Sequence, residues 1–345
     1  MSSAGLKPNP SAMRRESGES AEAVARFLSG NSRTLESLGA YLRDNPPAVV
    51  VTCARGSSDH AATYGKYLIE TMLGVPVASA APSVTSVYAG AIRRTDALLV
   101  AISQSGRSPD LLATVARYKD AGAHIVVVVN DESSPLAAAA DTLLPLCAGP
   151  ERSVAATKSF VTSLAGLAAL SAYWRADAGL IDALASLPST LDAACDLDWS
   201  PLVAGLVEAR NLFVIGRGYG LSIAQEAALK LKETCGLHAE GFSSAEVRHG
   251  PMAIVKRDFP VLAFATSDEA GADVRKVAGE FAERGARVLL ADVAGQGELP
   301  ALAIHPALEP IPMIQSFYGA AEALAVARGL DPDNPPFLRK VTETR

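Results

Sequence analysis

LLVAISQSGRSPDLL, residues 98–112, runs from a continuous apolar stretch into a turn of small polar residues and then into a helical pattern. The apolar run is typical of a parallel strand that is buried on both faces of a sheet. Pro109 suits a first helical position, and Asp110 beside it suits the positive end of a helix dipole. The stretch therefore predicts a strand, a ligand-sized turn and a helix that begins at Pro109.

The turn between this strand and this helix is a candidate anion site. Free N–H groups at the start of the helix would face the polar side chains of the turn, and a phosphate group fits such surroundings. A polar capping turn that holds no ligand is the alternative interpretation. The side chains in question are Ser103, Gln104, Ser105 and Ser108.

Strand-length apolar runs alternate with longer helical patterns along the whole chain. This alternation predicts α/β units, in which helices cover both faces of a parallel sheet. The predicted strands of the first half are AVVVTCA, ALLVAIS, AHIVVVVN and TLLPLCA. Those of the second half are NLFVIGR, VLAFATS, RVLLADV and the weaker LAIHP, residues 302–306.

The two halves resemble each other, because residues 48–70 and 211–233 both read as strand, Arg-Gly turn and helix. This self-similarity predicts a duplicated α/β domain with a flavodoxin-like layout. The turn ATSDEAG of the second half carries two acids, so we expect only the first half to bind an anion. The predicted division is an N-terminal helical segment 1–45, a first domain 46–185, a second domain 200–335 and a tail 336–345. The N-terminal segment contains a predicted helix at 17–44. The two domains are joined by a mostly helical stretch at about 161–205.

Composition excludes several classes of function. The 345 residues are 49% hydrophobic with a net charge of -6, which gives no basic surface for nucleic acid or an anionic membrane. The N-terminus lacks the apolar core of a signal peptide, and no apolar segment reaches the roughly 18 residues of a membrane span. Four scattered cysteines without metal-ligand spacing indicate reduced thiols in a cytoplasmic protein. The sequence predicts small-molecule partners and no metal cofactor. A dinucleotide cofactor is not expected either, since GRGYG lacks the third glycine of the dinucleotide motif.

Two further small-residue turns, ARGSSDH (54–60) and ERSVAATKSF (151–160), follow predicted strands of the first half. Because parallel strands end at one edge of a sheet, we expect these turns to meet the first turn in a pocket. In the second half, Glu226, Lys230 and Glu233 are spaced four and three apart, so they share one helix face. They could present a carboxylate and an ammonium to a cleft, or form a solvated ion-pair ladder.

These motifs together resemble the sugar isomerase (SIS) family over about residues 20–345. The motifs that carry the likeness are SQSG, ARGSS, VAATKSF, EAALKLKE and AEVRHGPMAIV. SQSG alone marks SIS domains in general, whereas ALKLKE followed by EVRHGP and the C-terminal LRKVT is more specific. The specific set is similar to the isomerase half of glucosamine-6-phosphate synthase and to stand-alone relatives that include glucosamine-6-phosphate deaminases. The resemblance implies two tandem SIS domains and an enzyme that acts on a hexose or aminosugar 6-phosphate.

The resemblance also implies roles for individual residues. Ser103, Gln104, Ser105 and Ser108 would hold the phosphate, with Ser58, the backbone around Val154 and Glu226 completing the substrate site. Glu233 would be the base that moves a proton between C1 and C2, with Lys230 as its cationic neighbour. His249 would open the sugar ring from the neighbouring subunit, which implies a homodimer, and Lys340 would engage the open-chain sugar by Schiff base or by charge.

Two positions depart from the synthase pattern, Ala156 in place of serine and Arg107 in place of glutamate. Arg107 could add charge to the phosphate site or remain exposed at the surface. His60 and His238 are lesser candidates for contact with substrate.

A glutaminase is not expected, because Met1 is not followed by a cysteine nucleophile and the segment before the first strand is short. We therefore expect glucosamine 6-phosphate to be converted to fructose 6-phosphate and ammonia. The alternatives are synthesis of glucosamine 6-phosphate with free ammonia or a separate glutaminase, a related substrate such as galactosamine 6-phosphate or a fructosyl-amine phosphate, and a non-catalytic sugar-phosphate sensor.

Overall fold

The computed structural model describes residues 10–338 and residue 340. Its strands form two five-stranded sheets in which every pair of neighbours is parallel. The first sheet contains β1 (Val50–Cys53), β2 (Val77–Ser79), β3 (Leu98–Ser103), β4 (His124–Val129) and β5 (Thr142–Pro145). The second contains β6 (Asn211–Gly216), β7 (His238–Ser243), β8 (Pro260–Ala265), β9 (Arg287–Asp292) and β10 (Leu299–Pro300).

The strand orders are β2-β1-β3-β4-β5 and β7-β6-β8-β9-β10, which are the same order when each half is numbered from its own first strand. This is the flavodoxin-like arrangement, with the chain reversing direction across the sheet between the first and third strands. The predicted α/β fold with two similar parallel sheets is confirmed. Cys53 of β1 lies opposite Ala101 of β3, so the turns that follow these two strands emerge side by side at one edge.

Helices cover both sheets and link them. Those of the N-terminal part and first half are α1 (Ala12–Gly18), α2 (Ser20–Asp44), α3 (Ser57–Leu73), α4 (Pro82–Ser86), α5 (Pro109–Asp120), α6 (Pro135–Ala138) and α7 (Lys158–Arg175). Those that follow are α8 (Ala178–Cys195), α9 (Ser200–Leu206), α10 (Leu221–Cys235), α11 (Glu269–Glu283) and α12 (Pro310–Ala327). Short 3-10 turns occupy Gly218–Gly220, Glu246–Arg248 and Pro251–Ile254.

The prediction of a strand at 302–306 is wrong, since the last strand, β10, lies just before that segment. The sequence also gave no sign of β2 and β7, whose exposed or half-buried polar residues interrupt any apolar run. Both strands lie at the edge of their sheet, where burial is less complete than in the central strands, so a continuous apolar run is not required. Pro188 lies inside α8, where burial of Leu184, Leu187 and Leu191 outweighs the local cost of a proline in a helix.

One continuous hydrophobic core joins the two halves. It includes Phe27 of α2, Tyr64 of α3 and Phe317 and Tyr318 of α12. The Tyr64 hydroxyl donates to the carbonyl oxygen of Ala307 at 2.6 Å, which satisfies its buried polar group across the junction. This packing brings α3 of the first half against α10 of the second, and their contact positions the site described next.

Candidate active site

The turn after β1 ends at Gly56, whose φ of 55° and ψ of -132° are accessible to glycine and strained for other residues. Gly56 is the N-cap of α3 and supplies no side-chain cap, so the helix begins directly with Ser57 and Ser58. Their hydroxyls therefore lie at the positive end of a 17-residue helix. The start of α3 therefore offers several hydrogen-bond donors, and its N-cap residue carries no carboxylate.

The turn after β3 is closed by the Ser103 hydroxyl, which accepts a hydrogen bond from the Gly106 N–H at 2.9 Å. Gly106 has a φ of +64°, and a Cβ there would lie 2.2 Å from Ser134 Oγ, so only glycine fits. As the sequence predicted, α5 begins at Pro109; its N-cap Ser108 makes no side-chain cap hydrogen bond. The N-cap side chain thus leaves the start of α5 open toward the turn, while Asp110 in the first turn of the helix accepts from the Leu111 N–H at 2.8 Å.

The third turn is fixed by two carboxylates. Buried Glu151 accepts from the N–H groups of Thr157 and Ser159 at 3.0 and 3.2 Å and from the Ser159 hydroxyl at 2.6 Å. Glu16 of α1 accepts from the N–H groups of Arg152 and Ser153 at 2.6 and 3.0 Å. Glu151 therefore already meets the positive end of α7, and this turn contributes shape more than free donors.

The three turns meet in a cavity of about 180 Å³ at the edge where β1 and β3 diverge. This is the position at which open α/β sheets bind ligands. The cavity is lined by Arg55, Ser57, Ser58, Ile102, Ser103, Gln104, Ser105, Ser108, Leu111, Ala156, Ser159, Phe160 and Lys340. Of the residues predicted for the phosphate site, Ser58 and the four from Ser103 to Ser108 line it together. Val154 is half-buried in the third turn and is not among the lining residues.

The acid-base residues of α10 are packed beneath the first turn. The Lys230 ammonium, nearly fully buried, donates to Glu233 Oε2 at 2.7 Å and lies 3.3 Å from Glu226 Oε1. It also donates to the hydroxyl of Ser57 at 3.1 Å. Because Ser57 lines the cavity, the cluster on α10 connects to the serine turns through one side chain. The solvated ion-pair ladder is excluded for Glu226 and Lys230, which are 0% and 1% exposed.

Glu226 is the centre of a buried hydrogen-bond network. Its carboxylate accepts from the hydroxyls of Ser57 and Tyr318 at 3.1 and 3.3 Å, and His60 Nδ1 lies 3.0 Å from it. Burial raises the pKa of Glu226, but Lys230 and His60 outweigh burial and hold the pKa below its ordinary value. Burial likewise lowers the pKa of Lys230, but Glu226 and Glu233 outweigh it and hold that pKa above its ordinary value. The pair is ionised, and Glu233 at its outer end is partly accessible.

Lys340 reaches the cavity from the C-terminal end of the described chain. Its ammonium donates to the carbonyl oxygen of Ser153 at 2.6 Å and lies 3.8 Å from Glu151. Burial lowers the pKa of Lys340, and the opposing effects of Glu151 and Glu16 do not restore it. A lysine with a lowered pKa has a larger neutral fraction, which is the form that attacks a carbonyl group.

His249 lies apart from this cluster within one chain. It is exposed in the turn after Glu246–Arg248, and its backbone N–H donates to the carbonyl oxygen of Glu246 at 2.9 Å. Within the described residues, no recorded contact joins its imidazole to the cavity. His238 is also exposed, 4.0 Å from Glu240 on β7.

Sequence reasoning missed Arg55 and named His60 only as a lesser candidate. Arg55 lines the cavity, whereas Arg107 is exposed and pairs with Asp131 at 2.8 Å. The available signal for Arg55 was its position immediately before the glycine of the first turn. For His60 the signal was its spacing of three residues from Ser57, which places both on one face of α3.

Comparison with known proteins identifies the family. A model of the SIS domain matches residues 47–172 and 205–298. The chain belongs to the SIS domain family. The isomerising glutamine–fructose-6-phosphate aminotransferase of Zymomonas mobilis is 32% identical over 95% of this chain and 58% of its own length. This SIS chain spans about half the length of the curated aminotransferases it matches.

Solved structures share the SIS architecture. A protein from Silicibacter pomeroyi, proposed to be a phosphosugar isomerase, is 45% identical, with a TM-score of 0.89 over 94% of this chain and 100% of that chain. Glucosamine-6-phosphate deaminase from Thermotoga maritima shows the same fold, with a TM-score of 0.72 at 22% identity over 93% of this chain and 100% of that chain.

The described residues offer neither a membrane-spanning helix nor a metal cluster. Among residues 10–338 and 340, no helix has both the length and the apolar character needed to cross a membrane. The same part of the chain contains no cluster of three or more His, Cys, Asp or Glu residues arranged to hold a metal ion. The four cysteines are free thiols, of which Cys53 and Cys235 are buried and Cys147 and Cys195 are half-buried.

Proposed function

We propose that this SIS protein is an aminosugar-phosphate deaminase that converts glucosamine 6-phosphate to fructose 6-phosphate and ammonia. The observation that carries the proposal is the position of Ser57. Its hydroxyl contacts both Lys230 and Glu226, while its side chain lines the cavity of the serine turns. The cavity of the serine turns and the acid-base cluster of α10 therefore share one side chain, which supports a single substrate site.

The chemistry follows from the groups present. The helix starts of α3 and α5 and the serine hydroxyls hold the phosphate, which leaves C1 and C2 of the sugar toward α10. Glu233 removes the C2 proton of the open-chain amino aldehyde, and Lys230 stabilises the negative charge that develops beside it. Return of the proton to C1 gives a ketimine at C2. Water then adds to the ketimine, and ammonia leaves from C2 to give fructose 6-phosphate.

The remaining two residues act before and around this proton transfer. His249 opens the sugar ring from a second copy of the chain in a homodimer, since its imidazole is exposed in one copy. An imidazole can both accept and donate a proton near neutral pH, which ring opening requires. Lys340 engages the open-chain substrate, where its lowered pKa favours attack on a carbonyl group.

Synthesis in the reverse direction is the second candidate, favoured by the names of the 32 to 35% identical aminotransferases. The two directions use the same residues and differ in the supply of ammonia. At low free ammonia, mass action favours release. A separate glutaminase that delivers ammonia to the site would favour synthesis instead.

The test is to incubate the protein with glucosamine 6-phosphate in deuterated buffer and measure ammonia, fructose 6-phosphate and exchange of the C2 hydrogen. Glu233→Gln is expected to lower exchange by about 10²- to 10⁴-fold while hexose 6-phosphate still binds. Glu240→Gln, which removes an exposed carboxylate of β7, is the matched control and should retain exchange.

Three outcomes would contradict the proposal. Binding of hexose phosphate without C2 exchange indicates a sensor. Turnover of galactosamine 6-phosphate or a fructosyl-amine phosphate in place of glucosamine 6-phosphate reassigns the substrate. Formation of glucosamine 6-phosphate only when a glutaminase is supplied favours the synthetic direction.

A further inference from the structure

Arg55 occupies the boundary between the cavity and solvent. It is the second residue after β1, its side chain is 51% exposed, and it lines the cavity. Its Nε and Nη2 donate to Asp110 Oδ2 at 3.0 and 2.5 Å. Asp110, the second residue of α5, is 1% exposed and also accepts from the Leu111 N–H at 2.8 Å. A buried carboxylate therefore fixes the direction of a half-exposed guanidinium.

The guanidinium has donors to spare in this position. It carries five N–H groups, and the two bonds to Asp110 converge on a single carboxylate oxygen. Its planar fork matches the oxygens of a phosphate group, and such charge-assisted bonds are stronger than bonds between neutral groups. The serines and Gln104 that line the same cavity are neutral donors, so the full charge of a phosphate calls for a cation at this wall.

A phosphate monoester carries about -1.5 to -2 charges near neutral pH. Among the described residues, Lys340 is the other cation on the cavity wall, and its ammonium is already bonded to the carbonyl of Ser153. Arg107, in the turn that follows β3, is directed to Asp131 and is not among the lining residues. Arg55 is thus the guanidinium placed to meet the phosphate.

We propose that Arg55 binds the phosphate group of the substrate and that Asp110 is a positioning residue that holds its guanidinium at the cavity wall. The proposal rests on the proposed function, because it takes the substrate to be a sugar phosphate. Under this proposal, the charge of the phosphate is recognised by Arg55 of the turn after β1 and not by a residue of the turn 103–108. The serines then supply shape and neutral donors, and Arg55 supplies the charge.

The second half of the chain offers a matched control. Arg217 follows β6 as Arg55 follows β1, and its Nη1 donates to Asp273 of α11 at 2.6 Å. The two arginines therefore have similar positions in the repeat, similar exposure and similar carboxylate partners. Only Arg55 lines the cavity of the serine turns.

The experiment titrates the protein with glucitol 6-phosphate, an open-chain hexitol phosphate that cannot be isomerised, and with inorganic phosphate as a competitor. Arg55→Met is expected to bind both about 10- to 100-fold more weakly, as expected for loss of a hydrogen bond to a charged group. Arg217→Met should bind them as the unmodified protein does. In turnover, Arg55→Met should raise KM for the sugar phosphate with little change in kcat, as for a contact made equally in the ground and transition states.

Variants that leave the buried carboxylate uncharged separate binding from folding. The double variant Arg55→Met with Asp110→Asn avoids an unpaired charge in α5 and should still bind weakly while unfolding at a temperature near that of the unmodified protein. Arg55→Lys keeps the positive charge but loses the planar guanidinium, so its phosphate affinity should lie between those of the unmodified protein and Arg55→Met. Asp110→Asn alone should raise KM without lowering kcat.

Each result decides the proposal. Equal affinity of Arg55→Met and the unmodified protein for glucitol 6-phosphate overturns it, as does an equal loss in Arg217→Met. Absence of phosphate binding by the unmodified protein overturns both this proposal and the proposed function. Binding that depends on Arg55 in a protein that releases no ammonia supports the role of Arg55 and overturns the deaminase alone.

Discussion

The two halves of the molecule share a strand order and differ at the start of one helix. In the first half, α5 begins at the cavity, and its N-cap Ser108 makes no side-chain cap hydrogen bond. In the second half, Asp268 caps α11 by accepting from the Gly271 N–H at 3.1 Å, and it also accepts from the Thr266 hydroxyl at 2.6 Å. Glu309 accepts from the Ser267 N–H at 2.7 Å. The second half thus caps α11 with a carboxylate at the N-cap position, whereas the N-cap of α5 in the first half makes no side-chain cap hydrogen bond.

Both halves contain an arginine-carboxylate pair after their first strand, and the two pairs contact different parts of the molecule. Asp110 holds Arg55 at the cavity, whereas Asp273 binds Arg217 together with the guanidinium of Arg248 at 3.2 Å and the hydroxyl of Ser244 at 2.5 Å. Burial raises the pKa of Asp273, but these three partners outweigh it and keep the pKa low. The pair of the second half therefore fixes the turn that leads to His249.

The two copies of the duplicated fold have therefore diverged at the helix starts where an open α/β sheet binds a ligand. In the first half, the N-caps of α3 and α5 make no side-chain cap hydrogen bond and both helices begin at the cavity, whereas Glu151 occupies the start of α7. The second half closes its own helix start and contributes the carboxylates and ammonium of α10. Substitutions that exchange or remove the features by which the halves differ should change stability, catalysis or phosphate affinity.

The largest expected effect is that of Lys230→Met, which removes the cation that links the halves. Glu226 would remain buried without its ammonium partner, so the free energy of unfolding should fall by about 3–5 kcal/mol. C2 exchange should fall as well, because Glu233 loses its neighbour. Urea unfolding at pH 7 measures the first effect, and Lys232→Met, on the exposed face of the same helix, is the control. A loss below 1 kcal/mol would contradict the importance of the buried pair.

The same substitution should change the dependence of stability on pH. In the unmodified protein the pKa of Glu226 is below its ordinary value of 4.5. A lowered pKa stabilises the folded state above the unfolded value, and this contribution is lost as pH falls through the folded value. Without Lys230, burial would dominate and raise the pKa of Glu226. The variant should therefore lose less stability on acidification from pH 5 to pH 3 than the unmodified protein does.

Much of this organisation could be predicted from the sequence, because central strands and turns leave local signals. The run 98–112 indicated β3, its turn and the start of α5, and the acids of ATSDEAG indicated the closed second half. Arg55 and Glu151 were not found, because their importance comes from long-range partners. Asp110 is 55 residues from Arg55, and Lys340 reaches Glu151 from the end of the chain.

Ser108→Asp makes the first half resemble the second and should have the next largest effect. A carboxylate at the N-cap of α5 would cap the helix but repel a phosphate in the cavity. Affinity for glucitol 6-phosphate should fall about 100-fold, while the free energy of unfolding stays equal or rises by up to about 1 kcal/mol. Ser108→Asn, of similar size and no charge, should lose less affinity. Equal loss in both variants would show that size, and not charge, closes the site.

Asp268→Ala opens the second half and should have the smallest effect. It removes the cap of α11 and the acceptor of the Thr266 hydroxyl, so the free energy of unfolding should fall by about 1 kcal/mol. Asp268→Asn keeps a capping oxygen and should recover most of the loss. Phosphate affinity should not increase in either variant, because Glu309 still accepts from the Ser267 N–H. Ser108→Ala removes no side-chain cap and should destabilise the protein less than Asp268→Ala; the reverse order, measured by urea unfolding, would contradict the assignment of a capped and an open helix start.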